Sequence, residues 1–292
     1  MRQAQLFSCA VGAVAASFGL MLPALGKPDP DQRALGARLH IPQGQSVVIS
    51  MPGQSAIAII GPIDSGVLAS YRAMQSTSVA TRLYIDSSGG DVPSAIAIAD
   101  DLRKRGTRLI VAGRCFSACA NYIFTGTVRK DVLPGSLIGI HSSLLQYDGN
   151  HDVTTMPVRH AQQLEKRDAD GNIKKQVRAI EKLEENFYSR IGLSSKNFQT
   201  FESYQARFEL AAGKKYPGCR KIDMWILSKN ALQNMGISGM NVIWTPATAQ
   251  EAAALSKDLG LDPAHVFFGS EQQLNRACTP RDSPVITAKR DW

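Results

Sequence analysis

The sequence has no long block of like charge, no internal repeat and no low-complexity tract. The first absence matters because the chain is basic, with 33 Lys and Arg against 25 Asp and Glu and a formal charge of +8. Those charges are dispersed, and no basic run is interleaved with aromatics, so nothing reads as a nucleic-acid-binding surface. A generally basic globular protein is the plainer reading. There is no ATPase motif. Cys219 and Cys278 lie far apart with no histidine close to either, which argues against a zinc site, and no metal or cofactor is expected. Beyond the N-terminus no apolar stretch reaches membrane-spanning length. What is present, 44% hydrophobic and 20% charged residues, excludes a mainly disordered chain.

Arg2 is the only charge before Lys27, and LFSCAVGAVAASFGLMLPALG runs uncharged between them. A positive start, an apolar core and a small-residue end are the anatomy of a secretory signal peptide over residues 1–26. Ala24 and Gly26 take the positions that a cleavage before Lys27 requires. The apolar run is about 20 residues, so an uncleaved membrane anchor is the competing reading. Either way the chain is expected to be exported, periplasmic or secreted. Cys9 leaves with a cleaved signal. Cys115, Cys119, Cys219 and Cys278 remain, an even set that reads as disulfides in an oxidising compartment, with the pairing left open.

A polar leader over 27–44 precedes a domain expected over 45–245. Ser46–Ser50, Ala56–Ile60, Arg82–Ile85, Arg108–Ala112 and Leu137–Ile140 read as short buried strands. Val67–Met74, Ser94–Arg105 and Ser117–Thr125 read as helices. Such alternation predicts an α/β fold with a parallel sheet core. Gln146–Gly171 is polar and weakly patterned, and is read as a surface insertion. Asn172–Ile191 is a long amphipathic helix with Val177, Ile180, Leu183, Phe187 and Ile191 on one stripe. Ala231–Met235 forms a helix closed by Gly236. Residues 246–292 lose pattern and read as a C-terminal extension.

Three segments fall at predicted strand ends, where α/β folds place chemistry. Ser88-Gly89-Gly90-Asp91 lets backbone amides approach an oxyanion, although paired glycines also make plain turns. Ser117, between Cys115 and Cys119, opens a helix after a strand, as a nucleophile or as a helix cap. His141 ends an apolar strand, as a general base or as a core histidine.

In order and spacing, IDSSGGDVPSAIAIADDLR, GRCFSACANYIFTG and LPGSLIGIHSS resemble the Clp peptidase/crotonase superfamily of serine proteases. There a Gly-Gly loop follows a strand, a small-Ser-small turn opens a helix, and an apolar strand further on ends in histidine. Here Ser117 and His141 are 24 positions apart. MWILSKNALQNMGISG, from Met224 to Gly239, is similar to a later segment of the family. The resemblance implies a fold of repeated ββα units with a long amphipathic helix after the histidine. It implies Ser117 as nucleophile, His141 as general base and the amides of Gly90 and Ala118 as oxyanion hole. The family's aspartate falls at Met224, so Asp223 is a one-residue-shifted candidate for a third member, and a Ser-His dyad with a carbonyl orienting His141 is the alternative. Lys130 is a weaker basic candidate, by likeness to serine–lysine dyads. The acyl-CoA chemistry of crotonases fits an exported chain poorly. The expected function is ATP-independent hydrolysis of peptides or unfolded segments, without an ATPase partner or nucleic acid, with a homo-oligomer plausible. The alternative is an inactive Clp-like binding or scaffold protein.

Overall fold

The computed structural model describes residues 44–51, 55–77, 79–141, 144–149, 152–157, 172–194 and 221–276. The expected signal peptide, most of the leader, Cys219 and Cys278 lie outside the described residues. The elements run β1 (Val47–Met51), β2 (Ala56–Ile60), α1 (Ser65–Thr77), β3 (Arg82–Ser87), α2 (Val92–Arg105), β4 (Arg108–Phe116) and α3, a π-helix over Cys119–Phe124. Then follow β5 (Arg129–Val132), β6 (Leu137–Ile140), β7 (Leu144–Gly149), β8 (Asp152–Pro157) and α4 (Asn172–Ile191). The chain continues with β9 (Met224–Ile226), α5 (Lys229–Asn234), β10 (Met240–Ile243), α6 (Ala249–Asp258), β11 (Val266–Phe268) and α7 (Glu271–Arg276).

Among the described residues nine strands form one sheet, ordered β1-β2-β3-β4-β6-β9-β11, with β5 and β10 branching from β4. From β2 through β3 and β4 to β6 the pairing is parallel. The antiparallel joins are β1 to β2 and β6 to β9. This is the expected parallel core. All five residues of β2 (AIAII) are buried, as befits a parallel strand covered on both faces. In β3 alternate residues are buried, Leu83, Ile85 and Ser87. That face and the facing residues of β4 and β6 meet α1, α2 and α3 in the main hydrophobic core. A smaller core on the opposite face joins Phe116, Leu137, Met224 and Ile226 to Leu255 of α6 and Val266 of β11.

β4 extends four residues beyond the strand predicted from sequence. Arg108–Val111 pairs with β5, and Arg114–Phe116 pairs with β6. The register against β3 slips between these halves, from Ile85↔Val111 to Ser87↔Cys115. The extra residues bulge, and a bulge bends its strand. Asp86 fills the bend: its Oδ1 accepts from the Arg114 amide at 3.0 Å and from Arg114 Nε at 2.7 Å. A Cβ on Gly113 would lie 2.7 Å from Asp86 Cγ, so glycine is needed there. The polar, glycine-bearing bulge interrupts the apolar pattern that marks the shorter strand.

Two further features are not marked in the sequence pattern. The insertion expected over 146–171 is in part a β7–β8 antiparallel hairpin, running from Leu144↔Pro157 to Gly149↔Asp152. Residues beyond Pro157 up to Gly171 lie outside the described residues. The sheet and its core continue past residue 245. β11 pairs with β9, and Leu274 of α7 is fully buried in the main core. A three-residue strand between short helices carries too little periodicity to be read from sequence.

Candidate active site

Because β3, β4 and β6 are parallel neighbours, their C-terminal ends share one edge of the sheet. The registers Ser87↔Cys115 and Cys115↔Ile138 set those ends level. The segments after them, Ser88–Asp91, Ser117 and His141, are therefore brought to one place. Sequence order alone does not give this convergence; parallel pairing does.

The Gly-Gly loop is held at both ends. Ile63 N–H donates to Gly89 O at 2.7 Å, and Asp91 N–H donates to Ile63 O at 2.8 Å. Asp91 then caps α2, its Oδ2 accepting from Ser94 N–H at 2.9 Å. Gly89 and Gly90 adopt φ of +96° and +139°. Glycine is required by position as well as by φ. A Cβ on Gly89 would sit 2.5 Å from Ser117 Cβ, and one on Gly90 would sit 2.1 Å from Ile63 O. The loop is thus pressed against Ser117.

Ser117 is half-buried and has φ +55°, a left-handed backbone that few non-glycine residues adopt. Strain of this kind gathers at functional sites. Its N–H donates to Gly139 O at 2.9 Å, tying it to β6, and its carbonyl accepts from Asn121 N–H at 2.8 Å. Cys115 and Cys119, both fully buried, form a disulfide with Cα atoms 5.1 Å apart, so the chain is bridged covalently on either side of Ser117. Neither cysteine is a free thiolate. The amides of Gly90 and Ala118, the expected oxyanion donors, have no hydrogen-bond partner among the described residues. The Ala118 amide also lies at the start of a helical segment, where the backbone dipoles favour negative charge.

His141 is half-buried and follows β6 directly. Its carbonyl accepts from Asn121 Nδ2 at 3.3 Å. Extending the register Ile140↔Trp225 by one residue puts Met224 opposite His141, on the same face of the sheet. Met224 is nearly buried, and its sulfur packs over Gly139. Asp223, one residue earlier, directs its carboxylate elsewhere. Its Oδ2 lies 3.0 Å from Lys221 Nζ and 3.2 Å from His265 Nδ1, and its N–H donates to His265 O. The shifted candidate therefore anchors the segment before β11. We predict that Asp223→Asn leaves the rate at which a fluorophosphonate labels Ser117 within about twofold of wild type, whereas loss of a carboxylate that orients a catalytic base would cost orders of magnitude.

Lys130 is not near Ser117. It pairs with Leu109 at the opposite end of β4, roughly 20 Å or more away at strand rise. The side chain is almost fully buried, with Nζ 3.4 Å from Thr125 O and 5.1 Å from the centre of the Phe124 ring. Burial, and then the nearby Arg103 charge, push its ammonium down to about 7. Below that pH the folded protein holds a buried charge. As pH rises from 7 toward the unfolded value of about 10.4, the folded state binds fewer protons than the unfolded one, so stability rises. Lys130→Met is expected to raise the melting midpoint by about 5 °C at pH 6, with the gain shrinking by pH 10. Thermal melts across that range check it.

Sequence reasoning does not single out Asp86, Arg114 or Asn121. Asp86 lies in the quoted IDSSGGD motif and Asn121 in CFSACANY, but only the fold reveals what they touch.

The profile of the Clp protease family matches residues 54–200, half of the chain. No curated protein matches. Among solved structures, a mutant ClpP1 from Listeria monocytogenes aligns at 18% identity and a TM-score of 0.36, covering 67% of this chain and 94% of that one.

Proposed function

The chain belongs to the Clp protease family, and on that footing we propose that it is an exported serine peptidase that hydrolyses peptide bonds without ATP. Ser117 is the nucleophile. A serine hydroxyl attacks a carbonyl only as its proton is removed, and His141 takes that proton. The tetrahedral oxyanion lies against the amides of Gly90 and Ala118. Donors already aimed at that charge lower the barrier without reorganising. His141 then gives the proton to the leaving amine, and water repeats the sequence on the acyl-enzyme.

The observation that carries this reading is the Gly89–Gly90 loop packed on Ser117, a serine held at positive φ, with the amides of Gly90 and Ala118 unpartnered among the described residues. Export rests on the N-terminal pattern of residues 1–26 and agrees with the Cys115–Cys119 disulfide. Among the described residues no helix is long and apolar enough to cross a membrane. Substrates are small peptides or unfolded segments. A homo-oligomer with α4 as a contact helix is part of this reading.

Met224 opposite His141 favours a second reading, an inactive relative that binds peptides or acts as a scaffold. The two separate in one assay. Purified protein incubated with a fluorescently quenched unfolded substrate, without ATP, releases fluorescence on the peptidase reading. On the second reading it binds the substrate and leaves it intact.

A further inference from the structure

We propose that Asn121 is the positioning residue of this site, setting the imidazole of His141 against Ser117 in place of a triad carboxylate. This rests on the peptidase reading above. Asn121 lies on α3 one turn after the nucleophile, and its N–H donates to the Ser117 carbonyl at 2.8 Å. Its side chain reaches the base, with Nδ2 donating to the His141 carbonyl at 3.3 Å. One residue thus bonds to both members of the pair. It is 4% exposed and is fixed from behind, its own carbonyl accepting from Tyr188 Oη of α4 at 3.2 Å and from Thr125 Oγ1.

The bond to a carbonyl fixes which way the amide faces, because only its nitrogen can donate. The remaining atom, Oδ1, is buried and has no hydrogen-bond partner among the described residues. A bare buried acceptor is costly, so a fold that keeps one at an active site calls for a donor. His141 supplies the fitting chemistry. A neutral imidazole that accepts a serine proton on one nitrogen carries its hydrogen on the other, and becomes a double donor once protonated. Oδ1 accepts from that second nitrogen as the proton arrives, which holds the tautomer and strengthens the bond when charge forms. Catalytic hydrogen bonds commonly tighten only in the reacting complex. The β6–β9 register, extended by one residue, sets Met224 and not a carboxylate opposite His141, and Asp223 is engaged with Lys221 and His265.

The test compares wild type, Asn121→Ala and Asn121→Asp as full chains. The pH-dependent rate of fluorophosphonate labelling is measured together with nitrogen-15 NMR of the His141 ring, which reports tautomer and titration midpoint. The expected result is a labelling loss on the order of 10- to 100-fold in Asn121→Ala, with the ring tautomer mixture altered. Asn121→Asp should recover labelling and move the His141 midpoint upward, because a neighbouring carboxylate favours imidazolium. An unchanged tautomer and midpoint in Asn121→Ala overturns the proposal, as does labelling at the wild-type rate. If the buried carboxylate of Asn121→Asp prevents folding, the alanine comparison decides. Failure of the peptidase reading shows separately, as a wild type that does not label, and the ring measurement still reports on Asn121.

Discussion

Ser117→Ala should abolish peptide hydrolysis, with a loss of at least about 10³-fold, while the protein stays folded. The expected loss is large because, in the proposed mechanism, every bond-making step passes through the Ser117 hydroxyl. The residual rate is what the oxyanion donors and binding alone provide. The fold is spared because the Ser117 contacts that order the site are made by its backbone, to Gly139 O and from Asn121 N–H. Alanine keeps both and tolerates φ +55° about as poorly as serine does. Hydrolysis rates and a melting curve, measured on the same preparations, check both halves of the prediction. A variant that is both inactive and unfolded would indicate that the hydroxyl has a structural role in addition to attack on the substrate.

Gly90→Ala carries the second large effect, and it acts on both rate and stability. An alanine Cβ would meet Ile63 O at 2.1 Å, and φ +139° is strained for any residue with a side chain. The loop must turn or the Ile63–Gly90 bridge must open. Either movement takes the Gly90 amide away from the position proposed for the oxyanion. Removing one such donor costs about 10²–10³ in rate. The backbone strain adds a destabilisation of about 1–3 kcal/mol. Gly89→Ala meets Ser117 Cβ at 2.5 Å and should act in the same direction by displacing the nucleophile itself. The expected pattern is a lower kcat with a modest change in KM, since the oxyanion contact is made in the transition state. A raised KM with kcat intact would mean that the loop binds substrate without stabilising the reaction.

The strands and helices of the core were legible because their burial is periodic. Leu83, Ile85 and the apolar side of Ser94–Arg105 announce their faces, and LIGI of β6 is an uninterrupted buried run. Helix ends were legible where chemistry marks them, as at Gly106, which closes α2 at φ +64°. Elements whose stability comes from distant partners were not. β11 exists because β9 offers an edge, and the β7–β8 hairpin because two polar segments pair with each other. The second half of β4 exists because β6 takes over from β5, across a bulge filled by Asp86. Ser117, His141 and the glycines stand out as site candidates from the family pattern, and parallel pairing brings their segments to one edge of the sheet. The relation of Asp223 to His141 does not stand out, because a one-residue offset in a strand reverses the direction of the side chain. Asn121 reads as one polar residue in an apolar helix, and only its contact with the His141 carbonyl gives it meaning.

The central claim is that Ser117 is an activated nucleophile. The most direct measurement is mass spectrometry of the protein after exposure to a fluorophosphonate, with the disulfide intact. One adduct is expected, located on Ser117, and none in His141→Ala. A folded, oxidised protein that remains unmodified, or that carries its adduct on another residue, would contradict it.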